Sequence, residues 1–327
     1  MIKFCRMIRA LKRYILWALC LGLFAWMLLQ ANPRQLWQNL LDWNWILLGC
    51  IGVWLIGYLL NAASFRCILR CFSSDEGTKG GASFQGEEGL FALMRLTIGG
   101  YALNYITPFG LLGGEPWRIH ELRKVMSADR ANSSVTYYAM VHVLSHILFW
   151  FLALLAWGML NHSFGLGEYS GWTLVGIIVG ILVLLTGVVY FLQHKGWIQN
   201  FQVLARVHPR LFLNAIGWEL LSRLVNVLEY WLLMRGILSD GLATTYGGAF
   251  LVVAFSSLFA NILFFSPMQM GTREGGVYLA LQWLLPSMVT SELFALSVSI
   301  CFATRIREIF WIVVGLIMIK IKSNILE

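Results

Sequence analysis

Charge is scarce in this sequence. Of 327 residues, 12% are Asp, Glu, Lys or Arg, where a soluble domain carries about 25%. No long hydrophilic block interrupts the apolar runs, which excludes a large soluble catalytic domain. Nucleotide machinery is also lacking. There is no G-x-x-x-x-G-K-[ST] string and no Rossmann fingerprint, and neither H-E-x-x-H nor G-x-S-x-G occurs. ATP-driven pumping by this chain alone is not expected, and no cofactor is expected. The six cysteines (Cys5, Cys20, Cys50, Cys67, Cys71 and Cys301) fall in apolar runs or beside basic residues, so no disulfide is expected. Cys67 and Cys71 have helical i,i+4 spacing, but no second ligand pair accompanies them and no metal site is expected.

What is present is hydrophobic: 59% of the residues, with a mean hydropathy of +0.71. A spanning helix needs about 20 apolar residues, and six segments qualify, roughly 14–31, 44–65, 135–160, 171–193, 211–235 and 291–319. Trp43, Trp45, Tyr169, Trp172 and Trp197 sit near their ends, as an interfacial aromatic belt places them. The basic start, Lys3 through Arg13, precedes a long apolar run without a small-residue cleavage site and reads as the flank of a retained first helix. The net charge of +8 clusters beside apolar runs, so it reports topology and not nucleic-acid binding.

Two apolar stretches, about 89–114 and 243–285, fit a simple span poorly. Each holds the same pattern: Pro108 to Glu115, and Pro267 to Glu274, a proline and a glutamate separated by six residues. A glycine precedes each glutamate, and an asparagine stands shortly upstream of each proline (Asn104, Asn261). Proline and glycine break helices. In lipid, broken backbone is tolerated only when buried in protein or lining a watery cavity. Both stretches therefore read as re-entrant broken-helix hairpins.

Loop charges orient them. The N-terminus, the loop with Arg66, Arg70 and Lys79, the segment with Arg118, Arg123, Lys124 and Arg130, the Lys195–Arg210 segment and the tail with Lys320 and Lys322 are assigned to the cytoplasm. Asn161–Ser170 lacks Lys and Arg and faces outside. The first hairpin then enters from the cytoplasm and the second from outside. Residues 14–160 and 171–319 form an inverted-topology repeat, with binding expected at the midplane where broken helices meet. The segment 194–210 reads as an interfacial amphipathic helix joining the halves, and 73–89 as a flexible polar loop. The fold expected is an all-α polytopic membrane protein, a single membrane domain of about six spans and two hairpins.

Candidate site residues follow from charge in apolar surroundings. Pro116 suits the first turn of a helix running to Lys124, whose free N–H groups make an anion site. Glu115 and Arg118 either serve a lipid phosphate there or form a cap and a snorkelling side chain. Arg273 is the better phosphate ligand, being bidentate and always charged. It either does that or neutralises Glu274 beside it. Glu219 and Arg223 are i,i+4 neighbours that read as an ion pair and as cavity lining, with Glu229 on the same span. Arg305 and Glu308 are i,i+3 on the last span beside Arg307, and pairing with Glu219 or Glu229 competes with substrate contact. Arg95 is a further intramembrane cation. His142 and His146 share a helix face and read as packing residues, with proton relay as the alternative.

The string from Asn104 through Pro108, Gly113, Gly114 and Glu115 to Arg118 resembles a signature of the lysylphosphatidylglycerol synthase transmembrane-domain family. That family includes the flippase domain of the bacterial multiple peptide resistance factor and stand-alone membrane proteins. Ser266 through Glu274 resembles its second signature. The resemblance implies a lipid flippase in the bacterial cytoplasmic membrane, with Glu115, Arg118, Arg273 and Glu274 in the family's polar motifs; the flanking charges put both termini in the cytoplasm. Its expected partner is a membrane phospholipid or a lipid-linked substrate. A homodimer or a lipid-biosynthetic enzyme would be a further partner. No aminoacyl-transferase domain is expected within these residues, so lysyltransferase activity is not carried over. The rival readings are a membrane-embedded transferase using Glu115 or Glu274 as base, and a non-transporting partner of a biosynthetic enzyme. On balance a transporter is expected, not an enzyme. The substrate-binding set is Asn104, Glu115, Arg118, Glu219, Arg223, Asn261, Arg273, Glu274 and Arg305.

Overall fold

The computed structural model describes Gly22 and residues 44–72, 86–107, 113–164, 207–238, 241–262 and 269–321. These residues are overwhelmingly helical. The expected spans 14–31 and 171–193, both prolines of the repeated pattern and nearly all of the polar loop and the joining segment lie outside them.

Helix α1 runs Asn44–Cys71, α2 Gly86–Ile106, α3 Gly114–Leu122, α4 Ala128–Phe164 and α5 Pro209–Ile237. A 3₁₀ turn, Leu242–Thr244, precedes α6 (Tyr246–Ile262), α7 (Thr272–Leu284) and α8 (Thr290–Lys320). Among the described residues three stretches are long and apolar enough to cross a bilayer: Trp45–Cys71, Ala128–Trp157 and Pro209–Ile237. Helix α1 continues past the expected end at 65, because nothing between Ala62 and Cys71 breaks it. Arg66 and Arg70 therefore lie on helix and not in a loop.

Each anomalous stretch holds two helices among the described residues: α2 ends at Ile106 and α3 begins at Gly114, and α6 ends at Ile262 and α7 begins at Thr272. Gly271 holds φ 79° and Gln269 φ 56° just before α7. Glycine occupies that left-handed region freely and glutamine does not, so the break is specified at Gly271 and strained at Gln269.

Polarity is arranged inside out relative to a soluble protein. Leu48, Leu55, Phe151, Leu155, Ile309, Val313 and Ile317 are exposed along α1, α4 and α8, whereas Arg95, Arg118, Glu219, Arg223, Glu229, Glu274, Arg305, Arg307 and Glu308 are buried. Apolar residues face outward where the surroundings are hydrocarbon, and charges turn inward to partners.

The chain divides into two compact units. The first comprises the described parts of Met1–Ile56, Met94–Arg118 and Val225–Lys322. Within it α7 packs on α6 and α8. Gly276 permits the contact with α6, since a Cβ there would lie 2.7 Å from the Phe255 carbonyl oxygen. Gly315 does the same for α8 against Ile98 of α2, and Arg95 donates to the carbonyls of Met318 and Ile319 near the end of α8. The second unit comprises the described parts of Gly57–Leu93 and Ile119–Leu224. Ser64 donates to the Ala215 carbonyl and Ser222 to that of Gly57, tying α1 to α5. Phe65 stacks on Tyr138, tying α1 to α4.

Candidate functional site

The first unit holds a buried ionic cluster at the second break. Three arginines, Arg273 on α7 and Arg305 and Arg307 on α8, meet three carboxylates, Glu229 on α5, Glu274 on α7 and Glu308 on α8. Glu308 is the hub. It pairs with Arg273, lies 2.9 Å from Arg305 Nη1 and lies 3.9 Å from Arg307 Nη2. Arg305 also reaches Glu274 at 3.2 Å, and Arg307 binds both oxygens of Glu229. Charge balances at three against three. That balance is what allows so many ions inside apolar helices, since an unpaired buried charge is heavily penalised.

Neighbours complete the cage. Trp54 Nε1 donates to Glu229 at 2.6 Å, and its ring lies 3.7 Å from the Arg307 guanidinium carbon. Gln269 accepts from Arg273 through its side chain and from Arg305 through its backbone carbonyl. The strained backbone at Gln269 thus places two acceptors on two arginines. Glu274 accepts from the Gly271 N–H at 2.7 Å, closing the start of α7. Tyr105 of α2 lies within electrostatic reach of Glu308 and Arg273, bringing the first broken helix toward this cluster.

The sequence expectation that Arg273 neutralises the adjacent Glu274 does not describe the pairing. On a helix, consecutive residues point about 100° apart. Arg273 therefore turns to Glu308, and Glu274 to Arg305. The expected Arg305–Glu308 pair is present, and Arg307 takes Glu229. Arg273 is the most accessible of the three arginines, at 11% exposure.

The first break has its own pair. Asn104 Oδ1 accepts from the Gly114 N–H at 2.7 Å, and its amide reaches Glu115 at 3.4 Å. Glu115 binds Arg118 Nη1 at 3.0 Å. Arg118 does not snorkel. It is 2% exposed, donates to the carbonyls of Leu96 and Thr97, and covers the Tyr101 ring. Gly100 and Gly114 make room, for a Cβ at Gly114 would sit 2.2 Å from the Gly100 carbonyl oxygen. Glu115, at 21% exposure, has one oxygen with no hydrogen-bond partner among the described residues.

Glu219 and Arg223 belong to the second unit. Their expected ion pair exists at 3.8 Å, but His142 of α4 is closer to Glu219, at 2.9 Å. Asn261 donates to the Ser257 carbonyl one turn back on α6. Residues passed over by the sequence reading are Trp54, Gln269, Tyr105 and Ser145. Their side chains are ordinary in apolar helices, and only their partners distinguish them.

Buried ionic clusters beside broken helices occur in several kinds of membrane protein, so the family has to come from the whole sequence. The family described as Lysylphosphatidylglycerol synthase TM region matches residues 14–314. The chain belongs to that family. Comparison with curated proteins and with solved structures gives no match. Both breaks and both charged clusters fall inside the range shared with the lysylphosphatidylglycerol synthase membrane family, whose name ties this helical membrane domain to lipid chemistry.

Proposed function

We propose that the protein is a lipid translocase, moving an anionic or aminoacylated phospholipid, or another lipid-linked substrate, across the cytoplasmic membrane. The carrying observation is Arg273, a partly accessible guanidinium at a helix break, held by Glu308 and Gln269 at the edge of a charge-balanced buried cluster. A headgroup phosphate replaces Glu308 on Arg273 without leaving either charge bare, because Arg305 and Arg307 remain beside Glu308. Bidentate Arg–phosphate geometry favours this exchange. Glu115, with one oxygen unpaired among the described residues, offers an acceptor for an amino headgroup at the first break. The acyl chains stay in lipid while the headgroup passes. In this reading, 14–160 and 171–319 are inverted repeats whose broken helices alternate access.

The test is a reconstituted-liposome assay with fluorescent phosphatidylglycerol, lysyl-phosphatidylglycerol and phosphatidylcholine, scored by quencher protection. Arg273→Ala and Glu115→Gln are each expected to slow transfer of the preferred lipid at least tenfold. Unchanged transfer in both variants would remove this site. A lipid that stays in its leaflet while a new product forms with a soluble donor would instead establish a membrane transferase.

A further inference from the structure

A second polar cluster lies midway along two spanning helices. His142 stands near the centre of Ala128–Trp157 and Arg223 at the centre of Pro209–Ile237. At about 1.5 Å per residue both are some 20 Å from either end of these stretches, which is the depth where ionisable groups are most costly and most often functional.

The geometry is specific. His142 Nδ1 lies 2.9 Å from Glu219 Oε2, and the carboxylate is 1% exposed. A carboxylate only accepts, so Nδ1 carries the hydrogen. Arg223 donates to Ser145 Oγ at 2.8 Å and to the His142 carbonyl at 2.8 Å, and its Nη1 is 2.8 Å from the His146 ring. Guanidinium has no acceptor, so the His146 nitrogen it meets is unprotonated. Tyr138, His142, Ser145 and His146 form one stripe on α4, with the Tyr138 and His142 rings 6.4 Å apart and those of His142 and His146 5.2 Å apart.

A structural tie between α4 and α5 is already complete without His142. Arg223 makes three cross-helix contacts and supplies the counter-ion for Glu219. Yet Glu219 sits nearer to His142 than to Arg223, 2.9 against 3.8 Å. The carboxylate thus has two basic partners, one permanently charged and one that switches, besides the Tyr138 hydroxyl.

We propose that the His142–Glu219 pair is a proton-binding site that couples proton movement to transport. A proton taken from one aqueous face converts the neutral imidazole to imidazolium, and Glu219 stays ionised. The cluster goes from zero charge to +1, Glu219 commits to His142, and Arg223 is left to Ser145, His146 and the carbonyl. Release at the other face restores the start. Among the described residues, the charged and titratable groups facing the pair are Arg223 on α5 and Tyr138 and His146 on α4. Helix α1, packed on both, carries buried Tyr58, and its charges, Arg66 and Arg70, lie toward its C-terminal end. The coupling role rests on the translocase reading, whereas proton binding does not.

The test uses the full chain in liposomes with fluorescent phosphatidylglycerol and an imposed pH gradient of one unit. With one proton per lipid, the label reaches about a tenfold leaflet asymmetry at steady state. His142→Gln and Glu219→Gln each return the ratio to near one. A steady-state ratio does not depend on rate, so a variant that merely moves lipid slowly still reaches the wild-type value. A wild-type protein that flips lipid to a ratio of one, or variants that match a tenfold wild type, overturns the proposal. If the wild-type protein flips no lipid, the translocase reading falls and histidine NMR in nanodiscs judges the proton site alone. A His142 signal, assigned by its loss in His142→Gln, that changes reversibly with pH in the folded protein upholds the site, and one that stays unchanged overturns it.

Discussion

Replacing Glu308 with Gln changes shape little and charge by one, so it isolates the electrostatics of the buried cluster. Wild-type balance is three arginines against three carboxylates, with Glu308 fully buried and touching all three cations. The variant leaves Arg273, Arg305 and Arg307 facing only Glu229 and Glu274. Removing one partner from a buried pair costs about 3–5 kcal/mol, because the remaining charge keeps its desolvation penalty. That is roughly 100- to 4,000-fold in the folding equilibrium. The assay is unfolding in mixed micelles with increasing SDS, followed through the intrinsic fluorescence of a chain with 15 tryptophans. A second arm adds Arg273→Gln, which restores balance at two against two. The double variant is expected to be less destabilised than the sum of the singles, with a coupling of about 1–3 kcal/mol. A Glu308→Gln protein within about 0.5 kcal/mol of wild type, or strict additivity, would refute the charge-balance argument.

Two further outcomes test the packing around the breaks. Gly276→Ala places a Cβ 2.7 Å from the Phe255 carbonyl oxygen, whereas Gly275→Ala meets nothing within 4 Å. The first is expected to lose about 1–3 kcal/mol by overpacking, and the second to be neutral or slightly stabilising as helical Gly→Ala, both read in the same SDS titration. Asn104→Ala removes the acceptor for the Gly114 N–H and is expected to cost about 1–2 kcal/mol.

Both breaks were legible in the residues. Gly113 and Gly114, and Gly271, stand where α3 and α7 begin, and glycine loosens a helix by local backbone chemistry with no distant contact needed. The helix beginning at Gly114 was expected within two residues of its observed start. Arg118 was legible as important but not as buried. Its burial depends on Gly100, fourteen positions before Gly114, leaving room for the guanidinium on the Leu96 and Thr97 carbonyls. His142 was legible as a helix-face histidine, and its partner Glu219 was not, since the two are 77 positions apart.

The sequence by itself determined that this chain is a helical membrane protein, where its helices break and which rare charges they carry. Those properties follow from hydropathy, backbone freedom and spacing along one helix. Only the tertiary structure decided the pairing. Adjacent Arg273 and Glu274 turn to different partners on α8, Arg307 takes Glu229 from α5, and Glu219 prefers His142 to the arginine one turn away. Such choices depend on the rotation and depth of one helix against another, which the residues of either helix alone do not set.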